Sequence, residues 1–381
     1  MAQRVAVIGL GCAGLAACAS LARRGIEVVG LDQFDIGHDR GSSAHQSRGF
    51  RLAYYEHPDY VPLLKASREH WMQLNAMAAE PIFIETSGVY ISKKDAELVP
   101  MSIEAARQHS IDHDVLSAAE VRKRWPIFDI TDDMIGLYEP LAGVIVPERA
   151  LAMHATIARE GGADLRTGVR VLGWKDNGTE VEIITDAGMV YCDRLVLCAG
   201  AWANSLLSCE QIDIRPSRQV LVWFQSPSNA NIDAPAFPFW AIELDDRSLL
   251  YGFPRMSGLP GPVGFKVARH WPGPTIDPDD DCDKAVAPGD EDDVSRHVAK
   301  WLPDAVGPVT DVRTCMYANS TDGHFRIGLH PDSSRVVIVT GLSGHGFKFQ
   351  PILGEVAADL ALTGCSTMNI DFLSPVKSNA S

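Results

Sequence analysis

Three glycines near the start of the chain have the spacing that phosphate recognition needs. Gly9, Gly11 and Gly14 stand at G-x-G-x-x-G, between an apolar run at 5–8 and an Ala/Leu-rich run at 15–23. In a strand–turn–helix unit the first glycine permits the tight turn and the second admits a pyrophosphate where a Cβ would clash. The third lets helix and strand pack closely. The helix N-terminus then offers free N–H groups to phosphate. A second buried run, 28–31, ends at Asp32, placed to accept from a ribose 2′-OH. A glycine fingerprint alone says little, but strand, turn, helix, strand and acid in this order are the context that gives it meaning. Cys12 and Ala13 inside the fingerprint, and Gln33 beside the acid, are expected against the same dinucleotide.

The rest of the chain must position what this site holds. Residues 34–46 are polar and contain glycine, which excludes a regular element; Ser42 and Ser43 there are placed to donate to phosphate or flavin oxygens. SRGFRLA at 47–53 carries Arg48 and Arg51, and 60–75 reads as an amphipathic helix. A strand at 89–92 and helices at 103–109 and 118–125 follow, then a helix at 147–160 with Pro147 at its first position. Short strands at 164–166, 170–174 and 181–185 include a hairpin turn at Asn177-Gly178. The buried strand 194–198 runs into Ala199-Gly200-Ala201-Trp202, a second place where backbone approaches a dinucleotide. Ala199, Gly200 and Trp202, with Val169, are expected there.

From Pro216 the pattern becomes that of an antiparallel sheet, with strands at 220–224, 240–244, 249–253 and 264–269 between Pro/Gly turns. Lys266 and His270 are four residues apart in GFKVARH, and a period of two puts both on one sheet face. The acidic run 277–293 reads as a solvated loop leading into a helix at 293–301. Buried strands return at 313–317 and 336–340, followed by a glycine-rich turn at 341–349 and a helix at 351–362 ended by Gly364. A nucleotide-type unit completed only at the end of the chain means that the antiparallel segment is inserted into it. That interleaving points to a flavoprotein oxidoreductase and away from a nicotinamide dehydrogenase with contiguous domains. The expected fold is α/β, a Rossmann-like FAD-binding domain from 1–85, 143–212 and 311–381, interleaved with an antiparallel-sheet plus helix substrate domain from 86–142 and 213–310.

A formal net charge of −15 argues against nucleic acid and anionic membrane as partners, but a local cationic pocket remains compatible with an anionic substrate. Eight cysteines include no C-x-x-C pair, so neither zinc nor a redox dithiol is indicated. A reducing, cytoplasmic setting is the expectation. The first apolar run is too short and too glycine-rich for a membrane span or signal peptide, and KSNAS at the C-terminus is no peroxisomal address.

Five features in order, the glycine start, SRGFR, GFKVARH, TCMY and GLSGHGFKF, resemble the monomeric sarcosine oxidase and N-methyltryptophan oxidase family of FAD-dependent amine oxidases. The resemblance covers nearly the whole chain and implies the same interleaved fold, akin to D-amino-acid oxidase. It implies that Cys315, in C-M-Y, carries FAD as a thioether on the flavin 8α-methyl; without it, a cysteine on a buried strand reads as packing. It places the amides of Gly344, His345, Gly346, Phe347 and Lys348 against the flavin pyrimidine ring, where fixed dipoles stabilise negative charge. Arg51 and Lys348 are implied to hold a substrate carboxylate, a planar fork and a point charge. Arg48 lies against the flavin, Lys266 serves oxygen activation, and His270 stands beside the substrate amine. Tyr251 and Tyr317 shape the pocket, and Trp240 is expected in its wall.

The implied reaction is oxidation of a secondary amino acid by hydride transfer to flavin N5, giving an imine and, with O2, hydrogen peroxide, in a monomeric enzyme. The proline-rich GLPGPVG leaves sarcosine, other N-methyl amino acids, pipecolate-like rings and larger secondary amines open. Two rivals are a dehydrogenase passing electrons to a protein or quinone, and a non-catalytic flavin-binding subunit.

Overall fold

A computed structural model describes residues 3–376 except 208, 210, 228, 229, 271, 272 and 306; the side chain of Cys282 and the C-terminal KSNAS lie outside the described residues. The glycine fingerprint sits where the sequence puts it. Strand Arg4–Ile8 is fully apolar in its buried part and pairs in parallel with Glu27–Leu31 on one side and Arg194–Leu197 on the other. Strands buried on both faces this way are continuous apolar runs. The sheet has six strands in the order Arg326–His330, Ser333–Thr340, Arg194–Leu197, Arg4–Ile8, Glu27–Leu31, Asp164–Arg166, and its first strand is antiparallel to the rest. Helix Cys12–Arg23 packs between helices Pro147–Glu160 and Gln350–Thr363 on one face of it. Gly364 closes the last helix at φ 76°, the left-handed cap for which glycine is suited.

The second large sheet has eight strands: Val309–Asn319, Arg215–Phe224, Phe265–His270, Leu249–Gly252, Phe239–Glu243, Gly88–Lys93, Met134–Glu139, Asp114–Ser117. It is not wholly antiparallel as expected. Phe239–Glu243 runs parallel to Gly88–Lys93. These two strands come from distant chain segments, so no hairpin dictates their relative direction. The expected domain boundary at 311 falls inside Val309–Asn319, which pairs along its length with Arg215–Phe224.

Cross-strand register puts Cys315, Tyr317, Leu221, Trp223, Lys266, Ala268, His270 and Tyr251 on one face of this sheet. The opposite face packs Val222, Phe265, Val267, Leu250 and Trp240 against helix Asp292–Trp301 and the 118–130 segment. Trp240 is therefore core and lines no site, because Phe239 and Ala241 on either side of it take the other face. The helix expected from 103 starts at Leu98: Pro100 lies in its first turn, where a missing N–H costs nothing. Strands Arg48–Phe50, Phe83–Glu85, Asp114–Ser117, Met134–Glu139, Gly188–Cys192 and Arg326–His330 were not expected. The last carries Arg326 and His330 buried at its ends, each with a hydrogen-bond partner, which hides the apolar pattern.

Candidate active site

A cavity of about 290 Å³ runs from the fingerprint to the face of the eight-stranded sheet. Gly9, Gly11, Cys12, Ala13, Asp32, Gln33, Ser42, Ser43, Arg48, Val169, Ala199, Gly200 and Trp202 line it. Cys315, Gly344, Gly346 and Phe347 do so at its far end, so segments more than three hundred residues apart meet in one wall. Helix Cys12–Arg23 begins in that wall, and its first-turn N–H groups lack intrahelical acceptors. One of them, Cys12 N, donates to Ser43 Oγ at 3.2 Å. Asp32 accepts from Leu10 N at 2.6 Å and Phe34 N at 2.9 Å, which leaves further lone pairs on each oxygen. Gly14 does not reach the cavity. A Cβ there would stand 1.7 Å from Gly9 O, so it serves the close helix–strand contact.

The glycine-rich turn after Ser333–Thr340 is built differently. Gly344, at φ 77°, lies under the ring of Tyr317, where a Cβ would sit 2.3 Å from it. The His345 side chain faces away from the first cavity. Its Nε2 bonds Gly323 O at 2.9 Å, which makes Nε2 the protonated nitrogen and Nδ1 an acceptor for Tyr54 Oη at 2.6 Å.

A second cavity, about 80 Å³, adjoins the first. Arg51, Lys348, His270, His345 and Glu56 contribute its polar groups, and Leu98, Phe239, Ala241, Leu249 and Phe253 an apolar wall. Arg48, Tyr251, Tyr317, Gly344 and Phe347 line both cavities. Lys348 Nζ donates to His345 O at 2.7 Å; burial, then Arg51, lowers its pKa to about 7. Burial, with His345, Lys348 and Arg51 nearby, drops His270 to about 3, so at neutral pH it is an uncharged imidazole with Nδ1 3.1 Å from Tyr317 Oη. Arg51 is held by Glu56 at 2.5 Å and lies over the rings of Tyr54 and Tyr55.

Lys266 lines neither cavity. It is 3% exposed, and its Nζ donates to His45 O at 2.6 Å and Ser47 O at 3.2 Å. Arg48 uses the same two oxygens and also those of Ser42 and Ala44. Burial pushes the Cys315 thiol up, against the pull of Arg48 and Lys266.

Several residues around the site carried no sequence signal. Glu139 is fully buried, accepts from Leu52 N at 2.6 Å, Ala53 N at 3.1 Å and Tyr90 Oη at 3.1 Å, and so fixes the turn that aims Arg51. Glu56 and Tyr54 lie in an irregular stretch with no pattern to mark them. The acidic run is the mostly exposed loop expected of it, with a short helix at Asp281–Lys284, but it also makes contacts that composition does not show. Asp279 accepts from Trp202 Nε1 at 2.9 Å and pairs with Arg170, and Asp281 pairs with Arg40, so it straps the first cavity's rim. Met256 packs on the core, and the 258–261 turn lines neither cavity.

Residues 4–360 match the family described as FAD dependent oxidoreductase. Monomeric sarcosine oxidase of Streptomyces avermitilis is 35% identical over 373 residues, 97% of this chain and 96% of that protein. The chain belongs to the monomeric sarcosine oxidase family of FAD-dependent amine oxidases. N-methyl-L-tryptophan oxidase of Salmonella arizonae is 31% identical over 359 residues, covering 93% and 94% of the two chains. The fold is also that of NikD, an unusual amino acid oxidase essential for nikkomycin biosynthesis, at a TM-score of 0.84, 22% identity and 98% coverage of both chains. Among the described residues no helix is long and apolar enough to cross a membrane.

The residues present fit FAD. An elongated cavity begins at an open helix N-terminus with an acid at the adjacent strand end, the donor and acceptor set that a pyrophosphate and a ribose need. It ends at a buried thiol and a turn rich in backbone N–H groups.

Proposed function

We propose that the protein is an oxidase of small secondary amino acids, binding the amine in the second cavity against FAD in the first. The observation that carries this reading is the shared wall. Arg48, Tyr251, Tyr317, Gly344 and Phe347 bound both a dinucleotide-shaped cavity and a small cationic one. FAD, held by the fingerprint, Arg48, the 344–348 turn and a thioether to Cys315, supplies the acceptor for a hydride equivalent and the route of two electrons to O2. In this reading the FAD-binding domain comprises 1–85, 143–212 and the chain after strand Val309–Asn319, the substrate domain comprises 86–142 and 213–319, and the chain works as a monomer.

The chain's own residues set the amine up. Arg51 and Lys348 bind the carboxylate, which takes the place of Glu56 on Arg51. The same two cations lower the pKa of the bound ammonium, and deprotonation frees the nitrogen lone pair that drives loss of hydride from the adjacent carbon. Neutral His270, fixed by Tyr317, orients the amine without adding charge. The apolar wall of Phe239, Ala241, Leu249 and Phe253 suits an N-methyl group or ring carbons and keeps water from the reacting atoms. The amine loses two electrons and two protons to become an imine, and O2 takes up both to become hydrogen peroxide. Lys266 and Arg48 provide the fixed positive charge on which oxygen reduction depends.

A peroxide assay over N-methyl and cyclic amino acids tests the reading. Peroxide formed in step with the imine supports it, and amine oxidation without peroxide contradicts it in favour of another electron acceptor. Acid precipitation tests the thioether: flavin colour stays with the wild-type pellet and passes to the supernatant for Cys315→Ala.

A further inference from the structure

Lys266 is held by a backbone segment that would not adopt its shape unaided. His45 and Gln46 have φ of 77° and 70°, a left-handed pair that side chains with a Cβ rarely take. This conformation aims the carbonyls of His45 and Ser47 at Lys266 Nζ. Backbone strain of this kind persists only where the surroundings over-determine it, and here they do. The Gln46 side chain accepts from Trp223 Nε1 at 2.6 Å and donates to Pro262 O at 2.7 Å. Gln46 N donates to Glu148 Oε1 at 2.8 Å, and the His45 ring bonds Thr314 O at 3.0 Å.

Glu148 opens the helix Pro147–Glu160 and has a second oxygen, Oε2, that is buried with no hydrogen-bond partner among the described residues. A helix N-terminus tolerates such a carboxylate, but this one also bonds the 45–47 segment whose carbonyls hold a buried cation. The charged and titratable groups bearing on Lys266 are Arg48, His45, Cys315 and Glu148. Burial and Arg48 push the ammonium well below its ordinary range, and Glu148 and a Cys315 thiolate pull it back. A thioether at Cys315 carries no charge, which leaves Glu148 as the countercharge within this group.

We propose that Gln46 and Glu148 are positioning residues for Lys266: Gln46 clamps the carbonyls that hold its ammonium in place, and Glu148 ties down Gln46 N and sets a carboxylate charge beside the same segment. The inference rests on the reading that Lys266 acts on the oxygen side of the reaction. Neither residue lines either cavity.

The test uses the purified holoenzyme with Q46A, E148Q and K266M, and separates the half-reactions by stopped flow. Q46A slows flavin reoxidation by O2 by about tenfold or more, while anaerobic reduction by amine changes by less than about threefold. Q46A/K266M is no slower to reoxidise than K266M, since one residue acts through the other. E148Q keeps an acceptor for Gln46 N but removes the charge, so the pH at which reoxidation declines moves downward. NMR of lysine Cε resonances, assigned with K266M, gives a second readout: the Lys266 midpoint falls in E148Q. An unmoved Lys266 titration, additive losses in the double variant, or equal slowing of both half-reactions overturns the proposal. Slow reaction of wild type with O2 overturns the oxidase reading instead, and the NMR titration then still decides the role of Glu148.

Discussion

The two cavities are made from different materials. The first is walled largely by backbone: a turn of glycines, the open start of one helix, the Ala199–Trp202 corner and the 341–346 turn. The second is walled by side chains drawn from the eight-stranded sheet, the 48–56 stretch and the final turn. A dinucleotide is long and uniform, and backbone amides recognise it without regard to side chain. A small amino acid must be read by the few groups it touches, so its site rests on individual residues and their charge states. The difference predicts that damage to the first cavity removes cofactor and damage to the second removes recognition, and each prediction below is a way to break that division.

The largest effect is expected at Arg51. Losing a paired charge-assisted hydrogen bond to a carboxylate costs several kcal/mol, so Arg51→Ala lowers kcat/KM by about a thousandfold. Bound flavin stays at the wild-type level, and its loss in this variant would erase the division. Gly9→Ala probes the other side. The new Cβ would lie 2.4 Å from Cys198 O at a φ of 91°. Flavin content falls by about tenfold or more, because the turn must open where the pyrophosphate sits, while turnover per bound flavin is kept. Absorbance ratios and rates normalised to flavin measure both.

A third prediction concerns pH. Lys348 has a pKa of about 7, well under that of a free lysine. Its charge is present below that pH and lost above it. A carboxylate ligand with no amine therefore binds more weakly as pH rises past 7, by up to about tenfold per unit, until the pKa raised in the complex limits the fall. Lys348→Met flattens the profile. His270, at about 3, adds no limb between pH 5 and 9. The smallest effect belongs to the strap. Asp279→Asn removes an exposed ion pair with Arg170, and such pairs contribute at most about 1 kcal/mol. A Tm shift of a few degrees at most is expected, shrinking further in high salt.

How much of this was legible follows the same division. The fingerprint announced itself because glycine spacing and apolar runs are local signals. Period two put Lys266 and His270 on one face; the register that brings Cys315 and Tyr317 onto the same face is seen only in the fold. The same period would also have placed Trp240 on the far face, since Phe239 and Ala241 take the near one. Glu139, Glu56, Gln46 and Glu148 were not legible. Each matters through a partner distant in sequence or through an irregular backbone, as with Glu139 reaching the N–H groups of Leu52 and Ala53. The partners of the strap were hidden for the same reason: composition marks Asp279 as solvated, which its exposure bears out, and only the fold brings Trp202 to it.

The most direct test is anaerobic titration of the purified holoprotein with an N-methyl amino acid and, separately, with its methyl ester, following the flavin absorbance. If amine and flavin occupy neighbouring cavities and Arg51 with Lys348 reads the carboxylate, the free acid bleaches the flavin and the ester does not at the same concentration. Equal bleaching by both, or bleaching by neither across N-methyl and cyclic amino acids, would contradict it.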